Sequence, residues 1–125
     1  GKCQDIHGHN YHLTLTFLGE PINDKSLSIN GMVVDFGDIK DFLNKKIKPL
    51  FDHRLILRKD SRFLGLEQKN ERIRYVDYQP TTGNMLLEIV EIVSNSFEKN
   101  INAVLCSAFL RETPSSYVEW HKEDQ

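Results

Sequence analysis

The sequence predicts an α+β domain in which two helices pack on one face of an antiparallel sheet. Alternating apolar residues mark strands towards both ends of the chain, and two stretches with helical spacing lie between them. No repeat, linker or low-complexity tract interrupts the 125 residues, so one domain over 1–125 is expected. The first strand is Tyr11 to Leu18, where Tyr11, Leu13, Leu15 and Phe17 alternate with His12, Thr14 and Thr16 until Gly19-Glu20-Pro21 stops the pattern. Residues 20–31 are rich in turn formers, and Gly31-Met32-Val33-Val34-Asp35 resumes a β pattern, which predicts a hairpin return.

Asp35 is placed to cap a helix near 36–48, with Asp38 in the first turn and Ile39, Phe42, Leu43, Ile47 and Leu50 at helical spacing. From Phe51 to Tyr78 the pattern is irregular and charged, and mostly loop is expected, with Ile73 to Val76 the single β-like piece. Pro80-Thr81-Thr82 opens a second helix whose apolar stripe is Leu86, Ile89, Val90, Val93 and Phe97, broadened by Leu87 and Ile92. Ile101 to Arg111 is apolar at almost every position, as in a strand covered on both faces. Ser116 to Trp120 forms the last strand. Two helices cover one face of this sheet, so something else must cover the other.

Composition excludes several classes of function. With 16 basic and 18 acidic residues mixed along the chain, the net charge is −2, which gives no footprint for nucleic acid or an anionic membrane. No apolar run approaches the roughly 20 residues of a membrane span, and no basic-then-apolar leader is present, so a cytoplasmic location is the expectation. Cys3 and Cys106 are then best taken as reduced thiols.

The densest chemistry lies in Cys3-Gln4-Asp5-Ile6-His7-Gly8-His9-Asn10-Tyr11. If the first strand extends back through His9, then His7, His9 and Tyr11 share one face. Two imidazoles roughly 6.6 Å apart at Cα can close on one ion. Cys3 is free either to join those ligands or to stand beside them as a base. Elsewhere the chain carries Gly31-Met-Val-Val-Asp-Phe-Gly-Asp38, Phe51-Asp52-His53, Pro80-Thr81-Thr82-Gly83-Asn84 and Arg111-Glu112-Thr113.

In this order, these motifs resemble those of the 6-pyruvoyltetrahydropterin synthase and 6-carboxytetrahydropterin synthase family, over essentially the whole chain. The resemblance implies a tunnelling fold, or T-fold, in which trimers close their sheets into a barrel. Two trimers then stack as a homohexamer with active sites between subunits. It also implies a catalytic Zn2+ and 7,8-dihydroneopterin triphosphate as substrate, with no nucleic-acid or membrane partner.

Residue by residue, His7 and His9 match the family's zinc ligands, and Cys3 matches its catalytic thiol, whose pKa would fall beside a dication. Asp52 and His53 match an Asp-His pair that moves a proton. Glu112 matches the pterin anchor, a carboxylate facing two parallel N–H donors. Thr81 and Thr82 match positions that contact the pterin ring, and either can also act as a helix cap. The cations Arg58, Lys59, Arg62, Lys69, Arg72 and Arg74 could meet the triphosphate, although a solvated charged loop is the preferred reading of them.

Two departures from the pattern stand out. The family's third zinc histidine belongs to a strand that would precede Gly1, so the domain is expected to lack that strand and to hold two of three histidines. Gly83 also stands where the family often has Glu. Three residues between Cys3 and His7 resemble the bacterial 6-carboxytetrahydropterin synthases of queuosine biosynthesis. The alternatives are the 6-pyruvoyl reaction of the tetrahydrobiopterin pathway and a non-catalytic pterin-binding or structural paralogue.

Overall fold

A computed structural model describes residues 11–21, 23–27, 33–60, 72–97 and 103–125. Strand β1 (His12–Gly19) alternates exposed and half-buried side chains along its length, and Leu13, Leu15 and Phe17 pack on the core. It pairs antiparallel with β4 (Ala103–Thr113), which pairs antiparallel with β5 (Ser116–His121), so the sheet order is β1-β4-β5. The expected first, penultimate and last strands are therefore present and antiparallel.

A bulge in β4 sets what this sheet buries. Thr16 pairs with Ser107 and Phe17 with Leu105, which leaves Cys106 as the extra residue. Leu105 and Ala108 are three positions apart and would face opposite sides of a regular strand. The inserted residue returns both to the helix side, where they are 0% and 1% exposed.

Asp35 caps helix α1 (Phe36–Phe42) by accepting the Gly37 N–H at 2.9 Å on its carboxylate. One wide π turn, Leu43–Ile47, leads into α2 (Lys48–Phe51). The helical path thus runs three residues beyond the predicted end, because Pro49 sits in the first turn of α2, where no N–H donor is needed. Helix α3 (Thr82–Ile92) ends in a second π turn, Val93–Phe97.

Met85, Leu86, Ile89, Val90, Val93 and Phe97 pack against Ala103, Leu105, Ala108 and Leu110 of β4, with Ile47 from the first helical segment beside them. Phe97 closes one end of this layer, its ring 5.7 Å from Phe17 and 4.9 Å from Phe42. Burying a side chain such as Leu86 or Leu105 contributes about 1.5–3 kcal/mol, so this interface dominates the stability of the domain. Ile92 is half-buried on the core, as expected. Leu87, by contrast, is 52% exposed and does not broaden the buried stripe.

Two expectations are corrected. Val33 to Asp35 bend instead of forming a strand; Val34 is apolar because it is buried in the core, not because it is extended. Residues 31 and 32 of that segment lie outside the described residues. The stretch from Phe51 to Tyr78, expected to be mostly loop, contains a two-stranded parallel sheet of β2 (Leu55–Arg58) and β3 (Ile73–Val76), with Leu55 opposite Ile73. Leu55-Ile-Leu-Arg is too short to show a period, and its partner is distant in sequence.

The face of the main sheet away from the helices carries His12, Thr14 and Thr16 with Phe109, Arg111 and Tyr117. It is open to solvent in the single chain, with Val104 at 39%, Tyr117 at 55% and Leu18 at 70% exposure. The double cover expected for β4 is thus met on the helix side alone.

Candidate active site

Glu112 stands at a second irregularity of β4. Arg111 pairs with Tyr117 and Thr113 with Ser116, so Glu112 has no opposite residue on β5. Bulges of this kind re-aim a side chain at the end of a strand. Here the carboxylate turns to the start of α3, where the Thr82 hydroxyl donates to Glu112 Oε2 at 3.2 Å. A helix N-terminus favours a negative charge, so the start of α3 is a suitable setting for this carboxylate.

Thr81 and Thr82 divide the two roles expected of them. Thr81 is the cap: its hydroxyl accepts the Asn84 N–H at 3.1 Å, and the Asn84 side-chain amide donates to the Gln79 carbonyl at 2.9 Å. Thr82 is thereby left to turn its hydroxyl to Glu112. Tyr11 joins the same cluster through a side-chain hydrogen bond with Thr82, and burial followed by the Glu112 charge pushes its phenol above the ordinary tyrosine value. Its strand period places Tyr11 on this face, but nothing local in the sequence reveals its neighbours. A Cβ at Gly83 meets no atom within 4 Å, so packing does not require glycine there.

Asp52 and His53 occupy the turn that follows α2. Asp52 Oδ2 lies 3.8 Å from His53 Nε2, close enough for charge attraction but beyond hydrogen-bond length, and 4.0 Å from Lys48 Nζ. The imidazole is 83% exposed. The chain itself therefore leaves His53 facing solvent.

In the charged stretch behind this turn, Arg58, Lys59 and Arg72 are exposed, as expected of a solvated loop, and Arg74 is the exception. Arg58 pairs with Asp60 at 3.1 Å. Arg74 is half-buried, forms an ion pair with Glu88, donates to the Leu50 carbonyl at 3.3 Å and lies 5.2 Å above the Phe51 ring. Glu88 also accepts the Tyr78 hydroxyl at 2.6 Å. Arg62 and Lys69 lie outside the described residues.

Cys3, His7 and His9 also lie outside the described residues. Among those described, no group of three or more His, Cys, Asp and Glu side chains is placed to hold a metal ion, and Cys106 is a free thiol. Among them, too, no helix is long and apolar enough to cross a membrane.

Comparison with known proteins assigns this geometry to a family. The profile of the family described as 6-pyruvoyl tetrahydropterin synthase matches residues 1–123. The chain is 36% identical over 121 residues to a 6-carboxy-5,6,7,8-tetrahydropterin synthase of Rickettsia conorii, covering 94% of this chain and 84% of that protein. It is 32% identical over 127 residues to the enzyme of that name from Haemophilus influenzae, covering 98% of this chain and 86% of that protein. In structure it is similar to an uncharacterized protein of Wolinella succinogenes, with a TM-score of 0.70, 17% identity, and coverage of 97% of this chain and 81% of that one. That likeness shows a shared fold.

Proposed function

The chain belongs to the 6-pyruvoyl tetrahydropterin synthase family and is a lyase acting on pterins, and we propose that it is a 6-carboxy-5,6,7,8-tetrahydropterin synthase. In this reading it converts 7,8-dihydroneopterin triphosphate to 6-carboxytetrahydropterin, releasing acetaldehyde and triphosphate, and serves queuosine biosynthesis in the cytoplasm. The names of its relatives support the choice of product. The single observation in the structure that supports it best is the Glu112 carboxylate, oriented by the Thr82 hydroxyl at the open end of β4.

A pterin presents an amidine-like edge with two parallel N–H donors, and an ionised carboxylate accepts both in the plane of the ring. The Thr82 bond fixes the torsion of Glu112, which lowers the entropy lost on binding. With the ring held, His53 and Asp52 move a proton at the substrate side chain, and Cys3 takes the first proton as a thiolate. His7 and His9 would hold Zn2+, a fit that rests on the donor chemistry of neutral imidazole, and the bound ion would polarise the side-chain hydroxyls.

The exposed apolar residues on the open sheet face, and the free outer edges of β1 and β5 among the described strands, support assembly as a barrel-forming homohexamer. In such an assembly, Glu112 of one subunit and His53 of another would complete one site.

Incubation of the purified protein with 7,8-dihydroneopterin triphosphate, followed by mass identification of the pterin, tests this. The expected product is 6-carboxytetrahydropterin with one acetaldehyde per turnover. A 6-pyruvoyl product would replace this assignment with triphosphate elimination. No turnover by zinc-loaded protein would leave a non-catalytic paralogue.

A further inference from the structure

Among the described residues other than glycine, His53 is the one with positive φ, at 56°. Asp52 before it has φ −71° and ψ 126°, and the Arg54 N–H returns to the Phe51 carbonyl at 3.3 Å. These values describe a type II turn, whose third position favours glycine or asparagine. A histidine there carries backbone strain, and such strain persists where the surroundings over-determine the backbone.

The surroundings do so through the carbonyls at the end of α2. Lys48 O accepts the Asp52 N–H at 2.8 Å, Pro49 O accepts Arg54 Nε at 3.1 Å, Leu50 O accepts Arg74 Nη1 at 3.3 Å, and Phe51 O accepts the Arg54 N–H. The carbonyls of Lys48, Pro49, Leu50 and Phe51 are therefore all filled. Three of these bonds are local. The Arg74 bond comes from β3, 24 residues further along the chain, and the guanidinium also covers the Phe51 ring. Its second nitrogen is anchored by Glu88 of α3.

We propose that Arg74 is a positioning residue for the Asp52–His53 turn: it ties the strained backbone to α3 and so fixes where the imidazole is presented. Its cationic, planar donor fork suits the task. One edge caps a helix carbonyl, the face stacks on an aromatic ring, and the other edge pairs with a carboxylate. The catalytic part of this inference rests on the reading of His53 as a proton-transfer group; the structural part does not.

The full-length protein with Arg74→Met or Arg74→Lys tests both parts. Amide hydrogen exchange at Asp52 and Arg54 should quicken about tenfold in Arg74→Met relative to the amides of β4. With dihydroneopterin triphosphate, kcat per folded molecule should fall about tenfold with KM changed less than about twofold, since a displaced imidazole slows chemistry more than binding. Arg74→Lys keeps a charge that can reach either Leu50 O or Glu88, and should recover part of both losses. A lowered melting temperature with unchanged kcat and unchanged exchange at the two amides would overturn the proposal and leave Arg74 as packing alone. If the wild-type protein turned over no substrate, the lyase reading would fail while the exchange measurement still decided whether Arg74 holds the turn.

Discussion

The Glu112 cluster and the His53 turn solve opposite problems. Glu112 is half-buried at a bulge near the end of β4, and it is oriented by a hydroxyl at the start of the adjacent helix. His53 is exposed, carries backbone strain, and depends on contacts made by the residues around it. The difference fits two tasks. A group that recognises a ring gains from burial and a fixed torsion, whereas a group that moves a proton must reach the reacting atom from a site of its own.

The comparison breaks most sharply at His53. Asparagine tolerates the left-handed backbone better than histidine, so His53→Asn should keep the turn while removing the imidazole. Turnover of dihydroneopterin triphosphate should fall at least about 100-fold through kcat, with folding stability unchanged or slightly raised. Steady-state kinetics and urea unfolding of the same preparation measure the two effects. Retained turnover would remove His53 from the chemistry and leave its strained backbone without a functional account.

At Glu112 the expected signature is different. Glu112→Gln keeps the shape and still offers Thr82 an oxygen, but replaces one acceptor with an N–H donor facing the ring's own donors. A loss of about 1.5–3 kcal/mol, or roughly 10–100-fold in kcat/KM, should appear mainly in KM. If kcat fell instead with KM unchanged, Glu112 would act in the transition state, and the division between recognition and proton transfer would collapse.

The two regions also differed in how far they could be read from sequence. Glu112 and Thr82 lie at the ends of elements that the sequence marks clearly, a continuous apolar run and a helical stripe, so their positions follow once β4 and α3 are placed. Asp52 and His53 stand out only as a dipeptide, and no sequence pattern reports that His53 occupies the glycine position of a turn. Arg74 was hidden among six basic residues because its partners Leu50, Phe51 and Glu88 come from two other elements. The same physics misled at Val33 and Val34, where burial imitated a strand. At β2 a short parallel pairing left no periodic signal at all.

Helix α3 supports both regions, and Tyr78, bonded to its Glu88, is where this support can be weakened without touching either. Tyr78 donates to Glu88 Oε1 at 2.6 Å beside the Arg74 ion pair. Burial, followed by the hydrogen bond to Glu88 and its charge, raises the Tyr78 pKa well above the ordinary tyrosine value, with Arg74 opposing. A group whose folded pKa is raised contributes stability that is complete below its unfolded value, about 10, and is lost as pH climbs towards the folded value. Tyr78→Phe should therefore cost about 1 kcal/mol at neutral pH and narrow its gap to the wild type above pH ~10. Tyr11, raised in the same direction, remains in both proteins and cancels from the comparison. Urea unfolding of the two proteins at neutral pH and above pH ~10 reads that gap. A gap that stayed constant would show that the Tyr78 hydroxyl is not coupled to Glu88, and that α3 holds Arg74 in place without it.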